Sequence, residues 1–176
     1  MLRFFIFIFL FFNIVVKAQV ISWYPQFPSV DDTITILYNS SLGNSALINT
    51  NDIYAHTGVI NKYSASISDW KHIPVEWHEG PDSTIKLTSL GNNIYEMEFH
   101  IKSYYGLLNS EETSCLNFVF RDGNGTISGV NLDGSDFFIP IYDSTDIVKF
   151  TSPIEFPLIK DLGDSINVLI RSKQNG

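Results

Sequence analysis

Hydrophobic and polar residues alternate along several short stretches of the chain. In NIYEMEFHI, residues 93–101, every second side chain from Tyr95 onward is apolar, and Glu or His stands between them. TITILY (33–38) and CLNFVF (115–120) alternate in the same way. A period of two is typical of strands with one buried and one wet face. The strands that these patterns predict are residues 33–38, 52–60, 70–77, 93–101, 115–120 and 136–142.

Turn-forming residues separate the predicted strands, and no stretch keeps a helical period of 3.6. The turns are rich in Gly, Asn and Asp and stand at residues 42–44, 80–82, 91–93, 122–125 and 133–135. Short strands broken by turns at this spacing are typical of an all-β, immunoglobulin-like antiparallel β-sandwich. We predict one such sandwich over residues 19–145.

Residues 146–176 are predicted to form a linker and the start of a second β domain. Two further strands are expected, at 147–150 and 165–171. Because two strands cannot bury a core by themselves, they either extend the first sandwich or begin a second one. The second option is favoured, since FTSPIEFPLI…LGDSINVLI repeats the order of prolines, polar turn and strand found in YPQFPSVDDTITILY. The chain is therefore expected to be the N-terminal part of a longer protein.

The first 18 residues have the layout of a secretory signal peptide. Arg3 gives a basic start, residues 4–16 are almost wholly apolar, and Ala18 offers a small residue at the cleavage site. The apolar run of about 13 residues is shorter than the roughly 20 that a membrane span needs. An uncleaved anchor is the alternative. We expect an exported protein, without a membrane span after cleavage, in the periplasm, at the cell surface or outside the cell.

Charge, cysteine content and the absence of catalytic motifs argue against several classes of function. The net charge is −8, and the predicted cleavage makes it −10 by removing Arg3 and Lys17. So acidic a chain without a basic cluster is a poor partner for nucleic acid. Cys115 is the sole cysteine, so no intrachain disulfide forms, which points weakly to a bacterial origin. The chain lacks GxSxG, HExxH, P-loop and GxGxxG motifs, so we expect no catalysis and no cofactor.

Two features leave a metal site open as an alternative. DGNGT, residues 122–126, resembles the opening of a calcium loop, but Ile127 stands where an EF-hand has its glycine. Asp-Gly and Asn-Gly are also common hairpin turns, and we predict a turn here. His72 and His78 would share one face of a regular strand, but no third ligand accompanies them.

Aromatic residues supply the candidate binding surface. DIYAHTGVI (52–60) and WKHIPVEW (70–77) both predict strands, and together they hold two Trp, one Tyr and two His. Alternation places Tyr54 and His56 on the face of the first strand opposite Ile53. Flat rings can stack on the C–H faces of sugars while polar tips orient the hydroxyls. The alternative is that Tyr54 belongs to the core and His56 is partly buried.

The order and spacing of YAHTGVI, LTSLGNN and FVFRDGNG resemble one family of modules. From about Pro25 to about Ile141 the chain is similar to the N-terminal β-sandwich of secreted α-amylase-family glycoside hydrolases from Bacteroidetes-type bacteria. More distantly it resembles the starch-binding modules of amylases and pullulanases. The resemblance implies a module that binds α-glucan (starch or glycogen, polysaccharide or oligosaccharide), or a structural sandwich that braces the catalytic barrel without binding sugar. In both cases the catalytic domain belongs to a longer parent chain. A surface adhesion or protein-interaction module is a further alternative.

The resemblance also implies which residues contact the sugar. It assigns the platform role to Tyr54, His56 and Trp70, and less securely to Trp77. The polar loop with Asp122 and Asn124 is the expected edge of the site.

Overall fold

The computed structural model describes residues 19–142 and the backbone of Val148–Ser152 and Leu169–Ser172. The predicted signal peptide and most of residues 146–176 lie outside the described residues. In the part of the chain that the structure describes, no helix is long and apolar enough to cross a membrane.

Residues 19–142 form two antiparallel sheets. The first sheet has the strand order β1-β2-β5-β4, and the second has β3-β6-β7, with β8 also paired to β6. The strands are β1 Ile21–Tyr24, β2 Thr33–Asn39, β3 Tyr54–Asn61, β4 Thr88–Gly91, β5 Ile94–His100, β6 Thr113–Arg121, β7 Ser128–Gly129 and β8 Phe137–Pro140. With β7 and β8 sharing the last place, this is the A-B-E-D and C-F-G order of constant-type immunoglobulin sandwiches. The predicted fold class is therefore confirmed.

The hydrophobic core lies between the two sheets because alternate residues of each strand point inward. Ile36 on β2 is opposite Met97 on β5, and both are buried. From the second sheet, Phe118 and Phe120 on β6 enter the same core cluster. The ring of Tyr38 stacks on Phe120 across the sandwich, with ring centroids 3.9 Å apart. Burial of each such side chain stabilises the fold by roughly 1.5–3 kcal/mol.

The period-two pattern predicted β2, β3, β5, β6 and β8, but it missed the short strands β1, β4 and β7 and one short helix. The helix α1, Ile101–Tyr105, follows β5 directly. The Nδ1 atom of His100 accepts a hydrogen bond from the Ser103 backbone N–H at its start, and Gly106, with φ of 64°, ends it. Five residues are too few for a helical period to be visible in the sequence.

The strand predicted at residues 70–77 is wrong. These residues belong to a connection between β3 and the 3₁₀ turn Ser83–Ile85, which we call the strap (residues 62–82). Within residues 70–77 the strap makes one isolated β-bridge, between Lys71 and Val59 at the edge of the second sheet. Pro74 has no N–H to donate and so cannot continue a ladder there.

The two strands predicted near the C-terminal end are present, with shifted bounds. Val148–Ser152 (β9) and Leu169–Ser172 (β10) pair with each other as a separate antiparallel two-stranded sheet. Their membership of a second sandwich stays a prediction.

Candidate functional site

The outer face of the second sheet carries the candidate site. Alternation on β3 turns Ala55 into the core and His56 outward, as predicted. On β6, Val119 lies directly opposite His56, and Arg121 lies opposite Tyr54. This face would meet water in an isolated sheet, but the strap crosses it.

Hydrogen bonds fasten the strap to the sheet. The backbone N–H groups of Val59 and Lys71 each donate to the other residue's carbonyl, both at 2.9 Å. The carbonyl of Ile67 accepts one bond from Trp70 Nε1 and another from Nδ2 of Asn117, a fully buried residue of β6, both at 3.1 Å. Gly58 lets the strap come this close, because a Cβ there would lie 3.0 Å from the Cβ of Trp70.

Three ring side chains meet where the strap crosses the sheet. His56 stacks on Trp70, with centroids 5.4 Å apart and an interplanar angle of 25°. It also meets Trp77 edge-on, at 5.1 Å and 85°. All three rings are half-buried and line an open cleft of about 490 Å³, together with the apolar side chains of Ile73 and Val119. We call this the aromatic cleft.

Polar side chains also line the aromatic cleft. They are Ser68 and Asp69 from the strap, Ser128 from β7, and Asp136 just before β8. Sequence reasoning singled out none of these four. Asp69 stands beside Trp70 in the sequence and could have been found by that adjacency. Ser128 and Asp136 reach the cleft because β7 and β8 pair with β6, which in turn pairs with β3.

Tyr54 does not present its ring to the cleft. Its alternation was predicted correctly, but its expected exposure is wrong, because the side chain is only 7% exposed. It packs with Val75 of the strap and Ile85 in a second small core cluster, and a Cβ on Gly123 would lie 3.4 Å from its ring. Tyr54 therefore supports the strap from below.

The loop with Asp122 and Asn124 forms the predicted turn between β6 and β7. The Asp122 carboxylate accepts hydrogen bonds from the Thr126 N–H (2.7 Å), the Thr126 hydroxyl (2.8 Å) and the Ile127 N–H (2.9 Å). These donors lower the pKa of Asp122. Asn124 is exposed. The turn lies against the cleft, because a Cβ on Gly125 would be 3.1 Å from Trp77 Nε1.

Arg121 is buried behind Trp77. The guanidinium lies 5.7 Å from the ring centroid of Trp77 and is 0% exposed. Its donors reach the carbonyls of Gly123 and Glu79, both at 3.1 Å, and more weakly that of Asp122. Within the described residues no carboxylate pairs with it, and its Nε has no hydrogen-bond partner. Arg121 thus ties the strap to the β6–β7 turn by backbone acceptors alone.

The environment of His56 favours its neutral form. Burial lowers the pKa of His56, and the Arg121 charge acts in the same direction, while the backbone of Val75 and the carboxylate of Glu76 partly oppose them. Its Nδ1 atom is buried without a hydrogen-bond partner among the described residues. His56 therefore serves the cleft as a flat, neutral ring near neutral pH.

The two histidines considered for a metal site, His72 and His78, have different surroundings. His72 pairs through Nε2 with the Glu111 carboxylate at 2.6 Å, while His78 is exposed on the strap. Burial opposes the ionisation of Glu111, but hydrogen bonds from His72, the Leu108 N–H and Asn61 prevail and lower its pKa. Among the described residues, no group of three or more His, Cys, Asp or Glu is placed to hold a metal ion.

Comparison with known proteins identifies one family. The family model described as Domain of unknown function (DUF8578) matches residues 22–128. The match begins in β1, includes the whole strap, and ends at the first residue of β7. It therefore contains all three rings of the aromatic cleft but not Asp136. No curated protein matches the chain.

Proposed function

The chain belongs to the DUF8578 family, and we propose that it is a non-catalytic module that binds neutral saccharide, with α-glucan as the expected ligand. The observation that supports this proposal is the arrangement of His56 between Trp70 and Trp77 at the surface of an open cleft. Aromatic side chains that only fill a core are covered on all sides, whereas these three rings are half-buried and remain accessible in the cleft. Rings that line a cleft offer flat apolar area to a ligand.

The chemistry of the cleft suits a sugar ring. Two indoles and a neutral imidazole supply apolar faces for C–H groups, and the serine hydroxyls and carboxylates of the lining supply partners for sugar hydroxyls. A volume of about 490 Å³ lies within the roughly 300–1,000 Å³ of ordinary small-ligand sites. The ligand would lie in an open cleft, as an internal stretch of a polysaccharide must.

The parent protein is proposed from the sequence resemblance. The likeness to the N-terminal sandwich of secreted α-amylase-family glycoside hydrolases makes a starch-degrading enzyme the proposed parent, with its catalytic domain in another part of the longer chain. Export through the predicted signal peptide would place the module where extracellular or periplasmic glucan occurs. In this arrangement the module would hold the substrate near the catalytic domain.

A structural accessory module is the second candidate. It is favoured by the burial of Tyr54, which takes one of the expected sugar-contacting rings out of the cleft. The two candidates differ in one measurable property, which is affinity for glucan.

Affinity electrophoresis tests the proposal. The chain without residues 1–18 should migrate more slowly in gels that contain amylose or glycogen than in gels without glucan. Replacing Trp70 with alanine removes one stacking ring, at a cost of ~1–3 kcal/mol by analogy with base–aromatic stacking, and should weaken binding roughly 5- to 150-fold. Trp70→Phe keeps a flat ring and should retain part of the affinity.

A matched control removes an aromatic ring elsewhere. Tyr63 is 68% exposed and does not line the cleft, so Tyr63→Ala should bind as the wild type does. Equal migration of the wild type with and without every glucan, in a protein shown to be folded by circular dichroism, would refute sugar binding and leave the structural module.

A further inference from the structure

Among the described residues, one carboxylate of the aromatic cleft has no hydrogen-bond or ion-pair partner. Asp136 lies between β7 and β8 and lines the cleft together with Trp70. Its backbone carbonyl accepts a bond from Nδ2 of Asn131 at 2.9 Å. Its side-chain carboxylate accepts no hydrogen bond from any residue in the described ranges, although the side chain is half-buried.

The other carboxylate of the lining is already engaged. Asp69 accepts a bond from Lys71 Nζ at 2.7 Å and another from the Ala65 N–H at 2.8 Å. These bonds lower the pKa of Asp69, whereas burial alone raises the pKa of Asp136. Asp136 has therefore lost part of its hydration without gaining donors from the described part of the chain. Such a group is stabilised by any ligand that brings donors to it.

The charges around the cleft indicate which donors fit. The lining contains two carboxylates and neither Lys nor Arg, so an acidic ligand would meet repulsion without a compensating cation. Arg121 remains buried behind Trp77, with its guanidinium bonded to carbonyls. Lys71 pairs with Asp69, and the Arg121 charge offsets part of the remaining negative charge, so the cleft offers little net charge to attract a cationic ligand. Hydroxyl groups donate to a carboxylate without carrying charge.

We propose that Asp136 is a specificity-determining residue that accepts hydrogen bonds from adjacent hydroxyls of a neutral sugar stacked in the aromatic cleft. This inference rests on the proposed saccharide binding. An ionised carboxylate has two acceptor oxygens and can bind two neighbouring hydroxyls at once. Trp70 and His56 would then select for a flat apolar face, while Asp136 would select for hydroxyls and against carboxylate or sulfate groups on the sugar.

Isothermal titration calorimetry on the chain without residues 1–18 tests the inference. The two probes are maltoheptaose, which is neutral, and an oligogalacturonate of seven residues, which is acidic. The wild type should bind maltoheptaose more tightly. Asp136→Ala should weaken maltoheptaose binding by roughly 10- to 100-fold, the range for a hydrogen bond to a charged group. Asp136→Asn keeps one acceptor and loses the charge, so it should bind maltoheptaose with intermediate affinity and should narrow the preference against oligogalacturonate.

Asp133→Asn is the matched control for charge. Asp133 stands in the same connection, is exposed, and does not line the cleft. Its Oδ1 accepts bonds from the Ser135 N–H and hydroxyl, and asparagine retains that oxygen. This variant should bind both probes as the wild type does.

The outcomes separate the two proposals. If Trp70→Ala weakens maltoheptaose binding but Asp136→Ala and Asp136→Asn do not, the role of Asp136 is refuted and sugar binding stands. If the wild type prefers oligogalacturonate, the selection for neutral sugar is refuted. If the folded wild type binds neither probe and no glucan retards it in gels, both proposals fail. Should Asp136→Ala not fold, the asparagine variant decides alone.

Discussion

The strap lies in close contact with the sheet at Gly58, and replacing this glycine with alanine tests the described packing. A Cβ at Gly58 would lie 3.0 Å from the Lys71 carbonyl oxygen, 3.0 Å from the Trp70 Cβ and 3.1 Å from the Ile73 Cγ1. Relaxed contacts between carbon atoms lie near 3.5–4.0 Å, so the strap must move by roughly half an ångström. The Lys71 oxygen is backbone and already accepts the Val59 bond, which leaves little room for adjustment.

The magnitude follows from two opposing effects. Overpacking of this kind costs about 1–3 kcal/mol. The alanine also restricts the unfolded chain, which stabilises the fold by about 0.4–1 kcal/mol. We expect Gly58→Ala to lower the free energy of unfolding by about 1–2 kcal/mol in net. Gly80→Ala makes the same chemical change within the strap, with no atom of the described residues within 4 Å of the new Cβ. It should be neutral or stabilising.

Urea denaturation followed by tryptophan fluorescence measures both variants. The midpoint should fall for Gly58→Ala with an unchanged m-value, because the surface exposed on unfolding stays the same. Hydrogen exchange at the Val59 and Lys71 amides should quicken, since these two donate the bonds across the contact. If Gly58→Ala is as stable as Gly80→Ala and both amides stay protected, the described approach of the strap is wrong.

Two further predictions concern buried polar groups. The buried Thr57 hydroxyl donates to the Asn117 carbonyl at 2.7 Å and therefore accepts from the Tyr105 hydroxyl. Thr57→Val should lower the free energy of unfolding by about 1–3 kcal/mol because it leaves buried polar atoms unpaired, and combined with Tyr105→Phe it should cost less than the sum of the two single changes. The second prediction is that stability falls with acidification below pH about 6.5, since His56 takes up a proton more readily in the unfolded chain than in the fold, where its pKa is lowered. Urea denaturation of the wild type and of His56→Gln between pH 7.5 and 5 measures this effect. As the pH falls, the wild type should lose stability relative to His56→Gln.

A different result would contradict each of these two predictions. Strict additivity in the cycle of Thr57 and Tyr105 would mean that the two hydroxyls do not share a bond. A difference between the wild type and His56→Gln that stays constant from pH 7.5 to 5 would mean that folding leaves the His56 pKa unchanged.

The sandwich could be predicted from the sequence because five of its eight strands, β2, β3, β5, β6 and β8, carry their own local pattern. Period-two alternation is local, and it identified the inward residues of β2, β5 and β6 without knowledge of their partners. The strap could not be predicted in this way. The apolar and aromatic content of residues 70–77 resembles that of a strand. In the structure these residues instead lie across the outer face of the second sheet, where Val75 is buried and Trp70 and Trp77 are half-buried.

The aromatic cleft was predictable only in part, because the sequence pattern is local and does not show which distant segments come together. Aromatic content identified His56, Trp70 and Trp77, since such rings are unusual outside a core or a site. Alternation could show that Tyr54 points outward, but not that Val75, some twenty residues later in the chain, would cover it. Asp136 enters the cleft through long-range pairing of β8 with β6, for which the sequence carries no local signal.

The polar groups beneath the strap bear on the choice between a binding module and a structural one. Asn117 and Arg121 are fully buried, and both donate hydrogen bonds to backbone carbonyls of the strap. Asn117 donates to Ile67, and Arg121 donates to Glu79. Apolar residues in their places would cover the sheet without the desolvation cost of a buried, unpaired guanidinium. Directional bonds, unlike apolar contacts, hold the strap at a defined height and register, and thereby fix Trp70 and Trp77 relative to His56. A brace needs only coverage, whereas a sugar site needs rings in fixed positions, so this costly attachment favours the binding module.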